Sequence, residues 1–187
     1  DFGQWADDLA AFWREWVNQT PGPHVLVGHS MGGHLALRAV AEGRVDPVAL
    51  VLSAPMLGLA GIGLPPALLS RVAWLMARVG DARRPAWKWS ERPGEPPEGR
   101  VRLLTHDDSR YEDGLWWRRE RPDTAMGPGS WGWLDAAYRS MNGLFRRGML
   151  EKVRQPVLLL GTRIDRLVNF GAIERAAQRL SRGELIT

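Results

Sequence analysis

Residues 25–40 read VLVGHSMGGHLALRAV. Three apolar residues run into Gly28-His29-Ser30-Met31-Gly32, and a stretch rich in Ala and Leu follows. This order predicts a short strand over 25–27, a sharp turn, and a helix from about 33 to 42. A strand apolar at every position suits a parallel sheet covered on both faces. Glycines at 28 and 32 around Ser30 make G-x-S-x-G, a turn that lifts a serine hydroxyl clear of the backbone. Gly28 and Gly32 are expected to leave room where a Cβ would collide, while Ser30 takes an unfavourable backbone conformation at the apex. The Met31 N–H then opens the helix as a donor to a developing oxyanion, an interaction that lowers a barrier by ~3–4 kcal/mol. The plain alternative is a glycine-flanked turn with an idle serine. The strand before it, the helix after it and Gly33, which permits close helix–strand packing, favour a nucleophile.

On either side of this turn the same alternation continues. Asp1-Phe2-Gly3-Gln4 resembles a capping box, with Gln4 reaching back. Trp5, Leu9, Phe12, Trp13 and Trp16 recur at helical spacing to about residue 17. Buried strands are predicted at 48–52 and 157–160, a helix at 170–180 and the opening of a fourth strand at 184–187. Helices alternating with buried strands imply a parallel α/β sheet. Residues 58–149 interrupt it and hold seven of the ten tryptophans, so they read as an inserted helical cap between core segments 1–57 and 150–187. In the cap, a helix is expected over 67–80 with Arg71 and Arg78 on one side, either a lid resting on lipid or a packed helix.

The second polar feature follows the strand at 157–160. Gly161-Thr162-Arg163-Ile164-Asp165-Arg166-Leu167-Val168 puts a carboxylate directly after a buried strand. A triad acid belongs at such a place, between serine and histidine in chain order. The competing role for Asp165 is a cap on the helix at 170–180.

Composition narrows the remaining choices. At 187 residues, 44% hydrophobic and 25% charged, the chain has the make-up of one globular domain. With no cysteine there are no disulfides or thiolate metal ligands. The net charge of +4 lies in the middle segment, where 15 Lys/Arg meet 11 Asp/Glu against 10 and 10 elsewhere. So small an excess reads as a solvated arginine-rich face, and no nucleic-acid partner is expected. Residues 47–70 carry no charge, but Pro55, Pro65 and Pro66 argue for a strand and a flexible connection over a membrane helix. Gly58, Gly61 and Gly63 do not match the dinucleotide pattern. No metal or organic cofactor is expected.

VLVGHSMGG, VLSAP and PVLLLG-TRID-RLV together resemble the lysophospholipase and monoacylglycerol-lipase branch of the serine α/β-hydrolases, the serine-aminopeptidase-like group. LLTHDDSRY and GPGSWGWLDAAYRSM in the cap resemble the bacterial lysophospholipases in particular. The resemblance implies an α/β-hydrolase fold with an inserted cap, incomplete at both ends and with a sheet edge unpaired. It carries the nucleophile onto Ser30, the acid onto Asp165 and an oxyanion amide onto Met31. It also implies a serine hydrolase that cleaves lipid-like carboxylic esters, lysophospholipid or monoacylglycerol, through an acyl-enzyme. The alternatives are amide or peptide hydrolysis by the same groups and a non-catalytic binding module of the same fold.

Two parts of the pattern are not in the chain. A His-Gly loop with the second oxyanion donor is expected upstream of Asp1. The catalytic histidine is expected roughly 5–10 residues past Thr187, following the acid-before-histidine order. None of His24, His29, His34 and His106 fits the base, by position or by chain order. As it stands the chain is expected to be a poor catalyst. Trp116, Trp117, Trp131 and Trp133 either line an acyl tunnel or hold the cap together. Arg118, Arg119 and Arg121 are candidates for a phosphate head group. A cytoplasmic protein is expected, peripheral at most at the inner membrane surface.

Overall fold

The computed structural model describes residues 1–60, 65–87, 105, 107–124 and 128–187. His106, Gly61, Gly63 and most of the LLTHDDSRY motif's first half therefore lie outside the described residues. The chain divides into two compact units, residues 1–66 with 136–187, and residues 67–135. The second unit is narrower than the 58–149 insertion drawn from the sequence.

The first unit opens with α1 (Phe2–Gln19). Asp1 caps it, Oδ1 accepting from the amides of Gly3 and Gln4 at 2.8 and 3.0 Å. The cap thus uses the Gln4 backbone, where the sequence suggested its side chain. The buried stripe is Phe2, Ala6, Ala10 and Trp13, while Phe12 is exposed. This corrects the expected aromatic stripe: the small Ala6 and Ala10 let α1 lie close on the next helix. Then come β1 (Val25–His29), α2 (Met31–Ala41) and β2 (Ala49–Ser53). After the second unit the chain returns in β3 (Val157–Leu160), a helix over Phe170–Arg179 and β4 (Gly183–Ile186).

All four strands are parallel, in the order β1-β2-β3-β4. Leu50, Leu52, Val157 and Leu159 are fully buried, as the all-apolar strands required. β1 is an edge of this sheet, and Val27 on it is 69% exposed. The register aligns His29, Ser53, Leu160 and Ile186. The chain therefore leaves every strand at the same edge, and the turns bearing Ser30 and Asp165 both emerge there, with the end of β2 between them.

Behind that edge, α2 buries a histidine. His34 is fully buried, with Nε2 2.7 Å from Ser140 Oγ. Arg38 donates to the same oxygen at 2.9 Å, and the Phe2 ring meets the imidazole edge-on. Nδ1 has no partner. Burial, helped by the Arg38 charge and partly offset by Glu42, pushes the pKa from 6.5 down to about 4. The unfolded chain binds this proton near pH 6.5 and the native one only near pH 4. Stability is thus intact above pH 6.5 and falls as pH drops through that window, by about 3 kcal/mol in all. Urea midpoints at pH 7.5 and 4.5 measure the loss. His34→Gln should reduce the difference, and an equal difference in both proteins would contradict the assignment.

The second unit contains α3 (Pro66–Arg78), α4 (Asp108–Glu120) and the first turn of α5 (Trp131–Leu144). Pro66 opens α3, where its missing N–H costs nothing. Asp107 caps α4 through the amides of Ser109 and Arg110. Pro85 and Ser130 form an antiparallel bridge, and Trp87 meets Trp133 edge-to-face at 6.3 Å, so Trp133 helps hold this unit together. Trp116 and Trp117 contact each other and are both about half exposed. Arg121 gives its fork to Asp123, so that guanidinium already has a carboxylate partner. Following Phe170–Arg179, the last helix is α6.

Candidate active site

Ser30 is the residue before the first turn of α2, with φ 50° and ψ −119°. Positive φ is uncommon for an L-residue with a side chain. The helix starts at Met31, two residues earlier than the sequence suggested, because the turn is complete within one residue. Ser30 occupies the capping position, yet its hydroxyl caps nothing. No described side chain hydrogen-bonds it. The Ser30 side chain therefore leaves the first amides of α2 uncapped, and the positive pole of the helix begins at the residue after it.

The room for this turn comes from Gly28 and Gly33. A Cβ on Gly28 would stand 2.7 Å from Gly33 Cα and 2.8 Å from both Gly33 N and Gly32 O. A Cβ on Gly33 would meet Pro55 Cβ at 3.0 Å and Gly28 O at 3.1 Å. Gly32 is different: among the described residues nothing lies within 4 Å of where its Cβ would be. The expectation that Gly32 prevents a collision is thus corrected, since its Cα points outward on the first turn of the helix. Gly28→Ala should cost about 3 kcal/mol, because only backbone could give way. Gly32→Ala should be neutral or stabilising by up to about 1 kcal/mol, as at an open helical position. Urea unfolding of the two variants decides between these roles.

Asp165 stands in the loop after β3, half-buried. Its Oδ1 accepts from the amides of Leu167 and Val168 at 2.7 and 2.9 Å, while Oδ2 has no hydrogen-bond partner among the described residues. The helix-cap alternative does not hold. Asn169 caps α6, its side chain accepting from Ala172 N at 2.9 Å. One oxygen of Asp165 thus fixes the loop and the other is left for a donor. The loop is also braced from outside. Leu59 pairs with Val168 in an antiparallel bridge, Ala60 N–H donates to Leu167 O, and Asn169 N–H donates to Gly58 O, both at 2.9 Å. Gly58 packs so tightly here that a Cβ would lie 2.9 Å from that of Ala172. Residues 58–60, read from the sequence as part of a flexible connection, are therefore a brace for the acid loop. Arg163 lies over the Phe170 ring at 4.6 Å and pairs with Glu174 at 2.9 Å, so its charge is already engaged beside the loop.

Ser30 and Asp165 follow β1 and β3, which are separated only by β2. Two strand spacings separate the ends of β1 and β3 by about 10 Å. No described histidine lies between them. His29 is exposed on the edge strand. His24 meets the hydroxyl and carbonyl of Thr20 and the rings of Trp13 and Trp16, and His34 is held by Ser140. Among the described residues no group of three or more His, Asp, Glu or Cys could hold a metal. No helix among them is long and apolar enough to cross a membrane.

Comparison with known proteins bears on the family and the fold. Residues 1–185 match the family described as Serine aminopeptidase, S33. Lysophospholipase L2 of Escherichia coli is 27% identical over 141 residues, 71% of this chain and 39% of that protein. The chain thus spans well under half of that curated relative. Among solved structures, a Paleococcus ferrophilus monoacylglycerol lipase superposes with a TM-score of 0.63 at 19% identity, covering 96% of this chain and 63% of its own. A soluble variant of the Saccharomyces cerevisiae monoglyceride lipase gives 0.65 at 16% identity, covering 96% and 58%. The parallel sheet and its flanking helices are those of the α/β-hydrolase fold, and the chain belongs to the serine aminopeptidase family.

Proposed function

We propose that the protein is a serine hydrolase of lipid-like carboxylic esters, with lysophospholipid or monoacylglycerol as substrate. The observation that carries this reading is the unengaged Ser30 hydroxyl, on a strained apex at the start of α2, at the same sheet edge as the Asp165 loop with its open carboxylate oxygen. In the proposed cycle Ser30 Oγ attacks the ester carbonyl and gives its proton to an imidazole. The Met31 N–H donates to the oxyanion. Collapse of the tetrahedral intermediate breaks the bond to the alcohol, which leaves with that proton. Water then adds to the acyl-enzyme, releases the fatty acid and returns the proton to Ser30. Asp165 Oδ2 accepts from the imidazole and holds its tautomer. We place that imidazole, and a second oxyanion donor, in sequence beyond this chain.

Substrate class rests on the lysophospholipase and lipase relatives and on α3. Leu68, Val72 and Leu75 on this helix and Val79 just past its end form one stripe, each between 39% and 58% exposed. Arg71 and Arg78 flank it, and α3 carries no carboxylate. Such a face suits an anionic lipid surface. Flotation with phosphatidylglycerol vesicles should therefore be lost in Val72→Glu, and retained flotation would remove the surface role. The family description favours a second reading, hydrolysis of an amide by the same groups.

The deciding experiment treats protein extended past Thr187 with a fluorophosphonate and maps the adduct. Tryptic peptide 15–38 contains Ser30 as its sole serine. Labelling there, with fatty acid released from lysophospholipid or monoacylglycerol, is the expected result. Release from an aminoacyl amide alone would favour the second reading. An inert Ser30 would leave a binding module.

A further inference from the structure

We propose that Ala54, which no motif marks, is a positioning residue for Ser30: its turn fixes the nucleophile's backbone against the strand that carries the acid. The inference rests on the reading of Ser30 as nucleophile. Among the described residues, Ser30 and Ala54 are the two non-glycine residues with positive φ, 50° and 42°. A proline follows Ala54, which restricts its backbone further. An alanine held so persists only where its surroundings over-determine the conformation.

Those surroundings are the site itself. The peptide unit joining Ser53 to Ala54 is bonded on both sides. Its carbonyl accepts from Ser30 N–H at 2.9 Å, and its N–H donates to Leu160 O at 2.7 Å. Leu160 ends β3, five residues before Asp165. One planar peptide thus links the nucleophile's amide to the acid's strand. At Ala54 the chain then turns back. A strand continuing straight would carry residue 56 about 10 Å beyond residue 53. Instead Met56 N–H donates to Ser30 O at 2.9 Å, beside the bond from His34 N–H at 3.1 Å. Pro55, between them, lies against Gly33 on the first turn of α2. Both polar groups of the Ser30 backbone are therefore held by residues 53 and 56, and the turn at 54 makes that possible. A change in this turn rotates the base on which Oγ stands, and small displacements of a reacting group cost rate out of proportion to stability.

The test compares Ala54→Gly with Ala54→Val in protein extended past Thr187. Glycine keeps positive φ without strain, whereas a β-branched residue does not. Ala54→Gly should label at Ser30 within about two-fold of the unsubstituted rate and melt no lower. Ala54→Val should lose about ten- to a hundred-fold in kcat for a p-nitrophenyl ester, with KM within about two-fold. A folded Ala54→Val with unchanged kcat overturns the inference, and so does an Ala54→Gly slowed equally, since the methyl group would then matter and the turn would not. Should Ala54→Val fail to fold, Pro55→Ala serves, with kcat expected about ten-fold lower and an unchanged kcat again overturning the inference. If the unsubstituted protein does not label at Ser30, the proposed function fails. If it labels and the variants match it, only the role of Ala54 fails.

Discussion

Ser30→Ala should abolish fluorophosphonate labelling of peptide 15–38 and lower ester turnover by ~10⁴ or more, the usual effect of removing the nucleophile from a cooperating set. Its stability should change by no more than about 0.5 kcal/mol, because the hydroxyl makes no hydrogen bond that the fold needs. Ser30→Gly sharpens the test. Glycine accepts φ 50° without the penalty that any Cβ meets there. This variant should be as inactive as Ser30→Ala yet more stable, by up to about 1 kcal/mol after the loss of backbone entropy. A serine whose removal stabilises the protein and silences it is maintained for chemistry. Urea midpoints and ester turnover on the three proteins give the answer. If both substitutions destabilise by more than about 1 kcal/mol, Ser30 is structural, and residual turnover near the unsubstituted level would show that another group attacks.

What the sequence reveals here depends on how local the constraint is. The Ser30 turn is legible because two glycines, a strand and a helix must fall within a few consecutive residues. Even so the glycines divide their work differently from the motif: Gly28 and Gly33 make the close contact, and Gly32 faces open space. The strands were legible from unbroken apolar runs, and β3 falls on the predicted residues. Asp165 was legible as a carboxylate after a strand. Its choice of loop over helix was not, because Asp165 and Asn169 are both good capping residues four positions apart and only tertiary bonds decide between them. Contacts between distant segments leave no periodic trace. His34 meets Ser140 across 106 residues of sequence, and the brace at residues 58–60 joins the acid loop from more than a hundred residues away. Ala54 is the extreme case, since nothing in an alanine announces a positive φ.

Asp165→Asn should fold like the unsubstituted protein and lose about 10⁴ in kcat, the size found when the acid of the Ser-His-Asp template becomes an amide. The reason lies in the unequal use of the two carboxylate oxygens. Oδ1 serves the loop through Leu167 and Val168, and the amide oxygen of asparagine can keep both bonds. At the position of Oδ2 the amide presents N–H₂, a donor where the imidazole needs an acceptor, so the ring is held in the wrong tautomer. Asp165→Ala removes both functions. It should lose activity as completely and, with two backbone amides left without their acceptor, also lose about 1–3 kcal/mol of stability. The pair of variants thus separates the oxygen that shapes the loop from the oxygen proposed to accept from the imidazole. An Asp165→Asn protein that keeps more than a tenth of the activity would remove Asp165 from the triad. The acid would then have to come from another loop at the same sheet edge, with Asp165 left as the residue that folds its own.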